Sequence, residues 1–411
     1  MSNSKSLLKE MTEDIRRIIN QSQEKISDCE VLELIEEYVL HDQRTFKDGY
    51  SQKKAIIENV YNATRMELDI LQPLADNQNV SEIMVNGLDN IFIEINGKIE
   101  KTNLKFDDFD QLEEIIRRIA ARVHREINEL NPIVDARLED GSRVNAIYKN
   151  IAINGPILTI RRFPQNKITM EDLIRMNSIT VEAAEFLKSL VVSGYNIFIS
   201  GGTSSGKTTF LNVLTEYIPE DERVIVIEDS CELQISKVEN IVRLETKNAN
   251  VQGKGEISVR QLIKASLRMR PDRIIVGEVR GGEVLDMIQA MNTGHDGSLS
   301  TGHGNSPQGM ICRLETMFLT AVNFPLEAVR GQIASAIDII VHLGKLKDKS
   351  RRVLEIVEVQ GLENGIILLN ELYKFQIENI TICNNEIGRL VKTKNELLNT
   401  KKLEMKGYYI N

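Results

Sequence analysis

The chain contains the spacing G-x-x-x-x-G-K-T from Gly201 to Thr208, directly after the apolar run at 197–199. In such a P-loop, glycines let the backbone turn tightly enough for successive amides to face phosphate oxygens, and the next helix adds its N-terminal partial positive charge. We expect Lys207 to bridge the β- and γ-phosphates of ATP and Thr208 to bind Mg²⁺. The residues predicted to hold the nucleotide here are Gly201, Gly202, Thr203, Ser204, Ser205, Gly206, Lys207, Thr208 and Thr209.

Two apolar strands that end in carboxylates are candidates for the rest of the chemistry. One strand, 224–227, is followed by Glu228 and Asp229, and another, 273–276, is followed by Gly277 and Glu278. Phosphoryl transfer to water needs a metal and a carboxylate that orients or deprotonates the water. The second strand has the form of a Walker B motif in which Gly277 replaces the usual aspartate. We therefore predict that Glu228 and Glu278 are catalytic, and that Thr208, Glu228, Asp229 and Glu278 hold Mg²⁺, partly through water.

The glycine-rich segment 293–306 carries two of the five histidines, His295 and His303. Their spacing does not match that of metal ligands. His303 ends a Ser-Thr-Gly-His run next to the predicted P-loop strand, and it is predicted to sense the γ-phosphate. His41, His124 and His342 are predicted to be ordinary core or surface residues.

Arginines commonly neutralise the charge that develops on a transferred phosphoryl group, and a neighbouring subunit often supplies one. Two sets are present, and together they suggest a site that another domain or protomer closes. They are Arg268, Arg270, Arg273 and Arg280 near the second acidic strand, and Arg137, Arg143, Arg161 and Arg162 in the first half of the chain.

Composition limits the classes of protein that this chain resembles. The 411 residues suggest two or three domains. The net charge of -9 gives no strong nucleic-acid signature. The four cysteines are scattered, and neither a membrane span nor a signal sequence is apparent. We therefore predict a soluble cytoplasmic protein.

The order of patterns along the chain predicts a mixed α/β architecture. It consists of a helical segment (1–70), an α+β domain (71–163), a linker with a short helix (164–180), an ATPase domain with a mostly parallel sheet (181–376), and a polar C-terminal tail, either a helix or frayed (377–411). In the ATPase domain, the predicted strands are 224–227, 241–244, 273–276, 297–301 and 337–343, followed by an antiparallel pair at 352–359 and 366–373.

The whole constellation resembles the secretion ATPases of type II and type IV systems, and most closely the CpaF/TadA-type ATPases of Tad pili. The similarity covers roughly residues 70 to 375. Its specific parts are the segments 132–145 and 159–163, the P-loop, the acidic pair at 228–229, the segment 270–280 and the His-containing segment 293–307. Where the family has Gly-Thr-Ile-His-Ala-Asn, this chain has Ser-Thr-Gly-His-Gly-Asn from Ser300 to Asn305.

This resemblance implies a homo-hexameric motor with RecA-like P-loop NTPase domains, each preceded by a PAS-like N-terminal domain. ATP would bind between the two domains, where Arg137 and Arg143 are candidates to reach it. Hydrolysis would power pilus assembly, pilus retraction or protein secretion. The implied partner is an inner-membrane platform protein, which would hold the motor peripherally at the cytoplasmic face of the membrane.

Other classes of P-loop protein fit the sequence less well. A GTPase needs N-K-x-D, and neither Asn166 to Thr169 nor Thr246 to Ala249 provides the aspartate. The L-S-G-G-Q signature of ABC transporters is missing. Intact Lys207, Glu228 and Glu278 disfavour a scaffold that binds ATP without hydrolysing it. A DNA translocase, or a RecA-like ATPase of the conjugation or competence type, remains the alternative to the secretion motor.

Overall fold

The computed structural model describes residues 2–21, 27–66, 68–95, 97–123, 125–162, 167–247, 249, 254–380 and 386–408. Some residues with sequence-based predictions lie outside these ranges, namely Asn96, His124, Phe163, the start of the predicted linker (164–166) and Cys383. The chain divides into two compact units, residues 1–165 and 166–411. Among the described residues, no helix has both the length and the apolar composition needed to cross a bilayer.

The first unit begins with helices, which precede a sheet. Its elements are α1 (Ser2–Gln21), α2 (Asp28–His41), α3 (Tyr50–Arg65), α4 (Gln72–Asp76), β1 (Val80–Asn86), β2 (Ile91–Ile95), β3 (Lys98–Lys101), α5 (Phe109–Arg122), β4 (Ile133–Arg137), β5 (Arg143–Ile147) and β6 (Ile157–Arg161). The helices α1 to α3 enclose a small core that includes Met11, Ile15 and Ile35. A capping box between Ser27 and Glu30 begins α2.

The sheet of the first unit is antiparallel, with strand order β3-β2-β1-β6-β5-β4. Helix α5 begins at the N-cap Asp108, and its apolar residues Leu112, Ile115, Ile116 and Ile119 are buried in the same core as the sheet residues. The predicted α+β composition of this segment is thus present. Because β4 and β5 pair with Arg137 opposite Arg143, these two arginines are neighbours at one end of the hairpin.

The second unit alternates strands and helices. Its elements are α6 (Met170–Arg175), α7 (Val181–Val192), β7 (Ile197–Gly201), α8 (Lys207–Thr215), β8 (Val224–Glu228), β9 (Ile241–Glu245), α9 (Val259–Ser266), β10 (Arg273–Val276), α10 (Glu283–Asn292), β11 (Leu299–His303), α11 (Pro307–Ala321), α12 (Leu326–Ala336), β12 (Ile339–Lys345), β13 (Arg351–Glu363), β14 (Ile366–Ile380), β15 (Glu386–Lys392) and α13 (Lys401–Met405).

Nine strands form one sheet in the order β15-β14-β13-β12-β7-β11-β10-β8-β9. The six strands from β12 to β9 in this order are parallel, and β13, β14 and β15 extend them antiparallel. Two apolar cores flank the sheet. Since parallel strands end at the same edge, the ends of β7, β11, β10 and β8 converge there, and this convergence builds the site.

Two strands begin later than predicted. Strand β11 begins at Leu299 rather than 297, because Gly297 has a positive φ of 79° and the Arg273 guanidinium lies 2.6 Å from where a Cβ of residue 297 would stand. Strand β12 begins at Ile339, because Ile337 is the C-cap of α12 and its N–H still bonds the carbonyl of Ile333.

The segment predicted as a terminal helix or frayed tail instead continues the sheet. Strand β14 runs on to Ile380, and β15 pairs antiparallel with it. Leu390, Leu397 and Leu403 enter the core that also contains the P-loop strand. The polar composition misled the prediction because the apolar residues here are sparse and gain their partners only from distant strands.

A buried carboxylate anchors this C-terminal segment. Glu358 on β13 is 2% exposed and accepts hydrogen bonds from the backbone amides of Leu398 (3.1 Å) and Asn399 (2.7 Å) and from the side chain of Asn370 (2.9 Å). Buried charges need such donors to offset their lost hydration. Leu398 and Asn399 are therefore fixed to the interior of the second unit.

Candidate active site

The P-loop connects β7 to α8 and has the backbone that its sequence predicts. Ser204 and Gly206 adopt positive φ angles of 58° and 93°, and Gly206 is the N-cap of α8. Gly201 is enclosed, because a Cβ there would stand 2.5 Å from Ser205 Oγ and 2.6 Å from the carbonyl of Leu343. Left-handed residues at a helix N-terminus form the amide concavity that binds anions. The loop therefore fits a phosphate cradle.

The Lys207 side chain is buried and folds back over this loop. Its Nζ donates to the carbonyls of Gly201 (3.1 Å) and Gly202 (2.9 Å) and lies 3.3 Å from Nδ1 of His303. Burial lowers the pKa of Lys207, and the charge of Glu278 opposes that shift. The ammonium is thus held where it can exchange loop carbonyls for phosphate oxygens.

His303 connects the lysine to the second acidic strand. Its Nε2 lies 2.8 Å from Oε1 of Glu278. Because an ammonium group can only donate, Nδ1 must accept from Lys207, which places the ring proton on Nε2. Nε2 is close to Oε1 of Glu278, but within the described residues that oxygen accepts no well-aligned hydrogen bond. Burial and the neighbouring charge of Lys207 both lower the pKa of His303. The imidazole is therefore neutral, and it connects a cation to a carboxylate.

Glu278 and Arg280 continue this line of contacts away from the P-loop. The guanidinium of Arg280 donates to Oε2 of Glu278 (2.7 and 3.1 Å) and lies 3.3 Å from Asp229. This contact with Glu278 raises the pKa of Arg280. Residues from β7, β11, β10 and β8 thus form one chain of contacts, Lys207–His303–Glu278–Arg280–Asp229, which we call the polar chain.

Glu228 lies at the same edge of the sheet but serves a different set of contacts. Its carboxylate is 4% exposed and accepts from the backbone amides of Glu232 (2.9 Å) and Leu233 (3.1 Å). A Cβ on Gly277 would stand 3.0 Å from Cγ of Glu228. Glu228 therefore crowds the position that the side chain of a Walker B aspartate at 277 would take, which favours the glycine.

The predicted metal ligands are not gathered into one cluster. In the described part of the chain, no three His, Cys, Asp or Glu side chains come together in a way that could hold a metal ion. Glu228 receives backbone amides, while Asp229 and Glu278 contact Arg280. Thr208, in the first turn of α8, is placed as the P-loop pattern predicts.

Several of the remaining arginines and histidines considered from the sequence do not belong to the polar chain. Arg273 is 2% exposed and binds Glu222 and the carbonyl of Val191, so it packs the sheet and does not face the site. The ring of His295 lies 3.1 Å from the carbonyl of Ala290, away from the polar chain. Arg137 and Arg143 belong to the first unit, and their predicted contact with nucleotide stays a prediction.

Two further residues lie near the P-loop: His342, buried as an ordinary core residue would be, and Arg351, for which no prediction was made. His342 on β12 is buried, and its Nδ1 lies 3.2 Å from the hydroxyl of Ser200 on β7. Arg351 at the start of β13 donates from Nε to the carbonyl of Ser204 (3.1 Å). Neither lies in a recognisable motif, and only the pairing of β12 with β7 brings them to the loop.

Comparison with known proteins identifies the family. Residues 64–404 match the family described as type II/IV secretion system protein. The chain belongs to this secretion ATPase superfamily. The resemblance inferred from the motifs is thereby confirmed at the level of the superfamily.

Several curated relatives are similar over most of their length. A probable conjugal transfer protein TrbB of Sinorhizobium fredii is 34% identical over 71% of this chain and 86% of the relative. The type IV secretion system protein PtlH of Bordetella pertussis is 30% identical over 72% and 95%. A putative conjugal transfer protein of Mycobacterium tuberculosis is 30% identical over 72% and 86%.

Solved structures share the fold at lower identity. The ATPase DotB of Legionella pneumophila aligns with a TM-score of 0.51 at 22% identity, over 71% of this chain and 80% of that one. The pilus retraction motor PilT with bound ADP aligns with a TM-score of 0.51 at 19% identity, over 82% and 86%. The predicted mixed α/β, RecA-like fold is consistent with both.

The neutral state of His303 can be measured. We expect its pKa to lie below the ordinary value of about 6.5, and to rise in Lys207→Met because the lowering effect of the ammonium is removed. In the wild type, the unfolded chain binds a proton at His303 more readily than the folded protein does. The neutral ring therefore contributes to folding stability fully above about pH 6.5, and this contribution is lost as the pH falls through the lowered pKa. NMR titration of the imidazole, assigned with His303→Asn, measures this value, and a pKa at or above 6.5 would contradict the arrangement.

Proposed function

We propose that this protein hydrolyses ATP and is a motor of the secretion ATPase superfamily. The observation that carries the proposal is the polar chain, which joins the P-loop lysine through His303 to Glu278. A P-loop alone indicates phosphate binding. A carboxylate connected to the P-loop lysine by one imidazole adds a group that can act on water next to the γ-phosphate.

The reaction follows from these groups. The P-loop amides and Lys207 hold the β- and γ-phosphates, and Glu278 orients a water molecule and accepts its proton as the oxygen attacks γ-phosphorus. The bond from γ-phosphorus to the β,γ-bridging oxygen breaks, which leaves ADP and inorganic phosphate. The neutral ring of His303 keeps Glu278 and Lys207 in register, so that displacement of Lys207 by phosphate is transmitted to the carboxylate.

Mg²⁺ fits a site built mainly from the P-loop and the nucleotide. Mg²⁺ in nucleotide sites keeps several waters and takes few protein ligands besides substrate phosphates. The hydroxyl of Thr208 would bind it directly, while Glu228, Asp229 and Glu278 would act through water. The ion would neutralise charge on the phosphates. Glu228 would then serve mainly to position the loop after β8.

We assign the finer features as part of the same proposal. The protein would act as a cytoplasmic homo-hexamer of the CpaF/TadA type. The helical segment (1–70) would precede a PAS-like domain (71–163). The linker (164–180) would join that domain to the RecA-like domain (181–376), which 377–411 follow. The order of strands in the first sheet and the family membership support this organisation. Arg137 and Arg143, adjacent on one hairpin, would complete the nucleotide site. An inner-membrane platform protein would hold the motor peripherally and receive its work, whether pilus assembly, pilus retraction or secretion.

A conjugation-type role is the second candidate, since two of the relatives are named as conjugal transfer proteins. ATP hydrolysis that rises with added DNA and loses this stimulation with salt would favour it, because phosphate contacts by cations are weakened by salt. The net charge of -9 favours the secretion role.

The assignment of Glu278 is tested by Glu278→Gln. The amide cannot accept the proton, so we expect ATP affinity near that of the wild type and turnover lower by about 10²- to 10⁴-fold. Lys207→Ala should lose nucleotide binding or turnover. Steady-state phosphate release and binding of a fluorescent ATP analogue measure the two effects. The exposed Glu327→Gln is the matched control, and unchanged turnover in Glu278→Gln would falsify its role.

The shared site is tested by mixing two inactive variants. Arg137→Ala and Lys207→Ala protomers each lack one half of the proposed site, so mixed assemblies contain some sites with both halves intact. We expect partial recovery of turnover, or poisoning that depends on the mixing ratio. A rate that follows simple dilution at every ratio would show that no protomer completes its neighbour's site.

A further inference from the structure

The hairpin between β12 and β13 brings an arginine onto the P-loop from the side opposite the polar chain. Strand β12 runs parallel to β7, with Leu343 paired to Gly201, so the hairpin begins where the P-loop begins. Arg351, the first residue of β13, donates from Nε to the carbonyl of Ser204 at 3.1 Å. Its Cδ stands 3.3 Å from the position of a Cβ on Gly206. The side chain therefore lies against the loop.

The hairpin that presents Arg351 is well defined by its own contacts. Leu346 and Ser350 are joined by a backbone hydrogen bond of 2.9 Å, and Lys349 takes a positive φ of 67° to close the turn. The carboxylate of Asp348 accepts from the amide (2.8 Å) and the hydroxyl (2.6 Å) of Ser350. Such an Asx-type turn fixes the backbone on which the arginine sits.

The guanidinium has unused binding capacity. Arg351 is exposed. Within the described residues, Nε is the one guanidinium nitrogen of Arg351 that makes a hydrogen bond. The terminal nitrogens carry four further N–H groups, and the guanidinium plane can stack on a flat ring. A loop clamp alone would need only the bond to Ser204.

Strand order indicates which part of a nucleotide this arginine meets. The strand β7 lies between β11 on one side and β12 on the other. His303 and Glu278 come from β11 and the end of β10, so the γ-phosphate belongs on that side. The nucleoside end of the same molecule then leaves the loop on the other side, beside the β12–β13 hairpin.

We propose that Arg351 is a nucleotide-binding residue whose guanidinium packs against the ribose and base while its Nε holds the carbonyl of Ser204. This inference rests on the proposed nucleotide-binding function and names a contact that the P-loop motif does not include. It assigns affinity for the nucleoside to the same protomer that supplies the P-loop. Recognition of ATP and ADP should share this contact, since both carry the same nucleoside.

The test compares a ligand that has a nucleoside with one that lacks it. Dissociation constants of Mg²⁺-ADP and Mg²⁺-pyrophosphate are measured by calorimetry on the full chain and on Arg351→Gln. In Arg351→Gln we expect the dissociation constant for Mg²⁺-ADP to rise about tenfold or more. The dissociation constant for Mg²⁺-pyrophosphate should change less than about twofold. Lys345→Gln is the matched control. Lys345 pairs with Arg351 across the hairpin, and its substitution removes the same charge as Arg351→Gln does. It should bind both ligands like the wild type.

A second variant separates stacking from charge. Arg351→Lys keeps a cation that can reach Ser204 but lacks the planar group. Its dissociation constant for Mg²⁺-ADP should therefore stay above that of the wild type, while its melting temperature matches that of the wild type. Wild-type affinity of either Arg351 variant for ADP would overturn the inference, and so would equal weakening toward ADP and pyrophosphate. Failure of the wild type to bind ADP would instead overturn the proposed function.

Discussion

The contact of neutral His303 with both Lys207 and Glu278 is the interaction on which the rest of the site depends. Lys207 follows β7, His303 ends β11, and Glu278 follows β10, three neighbouring strands of the parallel sheet. Because these strands run in the same direction, their carboxyl ends meet at one edge. A single line of side-chain contacts can then connect the phosphate cradle to Glu278, the carboxylate that we propose acts on water.

Burial makes this connection responsive. The lysine and histidine lose hydration at the sheet edge, and the resulting shifts lower the pKa of both. The ammonium contacts two loop carbonyls and the imidazole. Phosphate oxygens are stronger partners for the ammonium, so binding of ATP would change what His303 and Glu278 contact. Under the proposed function, the same groups would bind, sense and hydrolyse the γ-phosphate.

Local sequence was enough to predict the P-loop, the acidic strand ends and the alternation of strands and helices. These features depend on short-range rules, namely glycine spacing, apolar runs and the order of elements. The same rules located Lys207, Glu278 and His303, which the structure brings together. They also placed Glu228 at the correct edge, although its backbone contacts and the space it takes beside Gly277 required coordinates.

What sequence could not provide depends on contacts between distant parts of the chain. The segment after Ile377 appears polar, and its role in the sheet arises only from pairing with β14 and from the pocket for Leu403. Arg273 stands in a motif with other arginines, yet the partly buried carboxylate of Glu222 and the carbonyls of Val191 and Gly297 hold it inside the sheet. Arg351 does not belong to a recognisable sequence motif, and it reaches the P-loop because β12 pairs with β7.

The central claim is that His303 and Glu278 act as one unit, and a double-mutant cycle on turnover tests it most directly. Single-turnover ATP hydrolysis is measured for Glu278→Gln, His303→Asn and the double variant, with binding of the ATP analogue measured in parallel. If the two residues act together, the double variant is no slower than the more damaged single variant, within about twofold. Rate losses that multiply would show that the two residues act independently and would contradict the account.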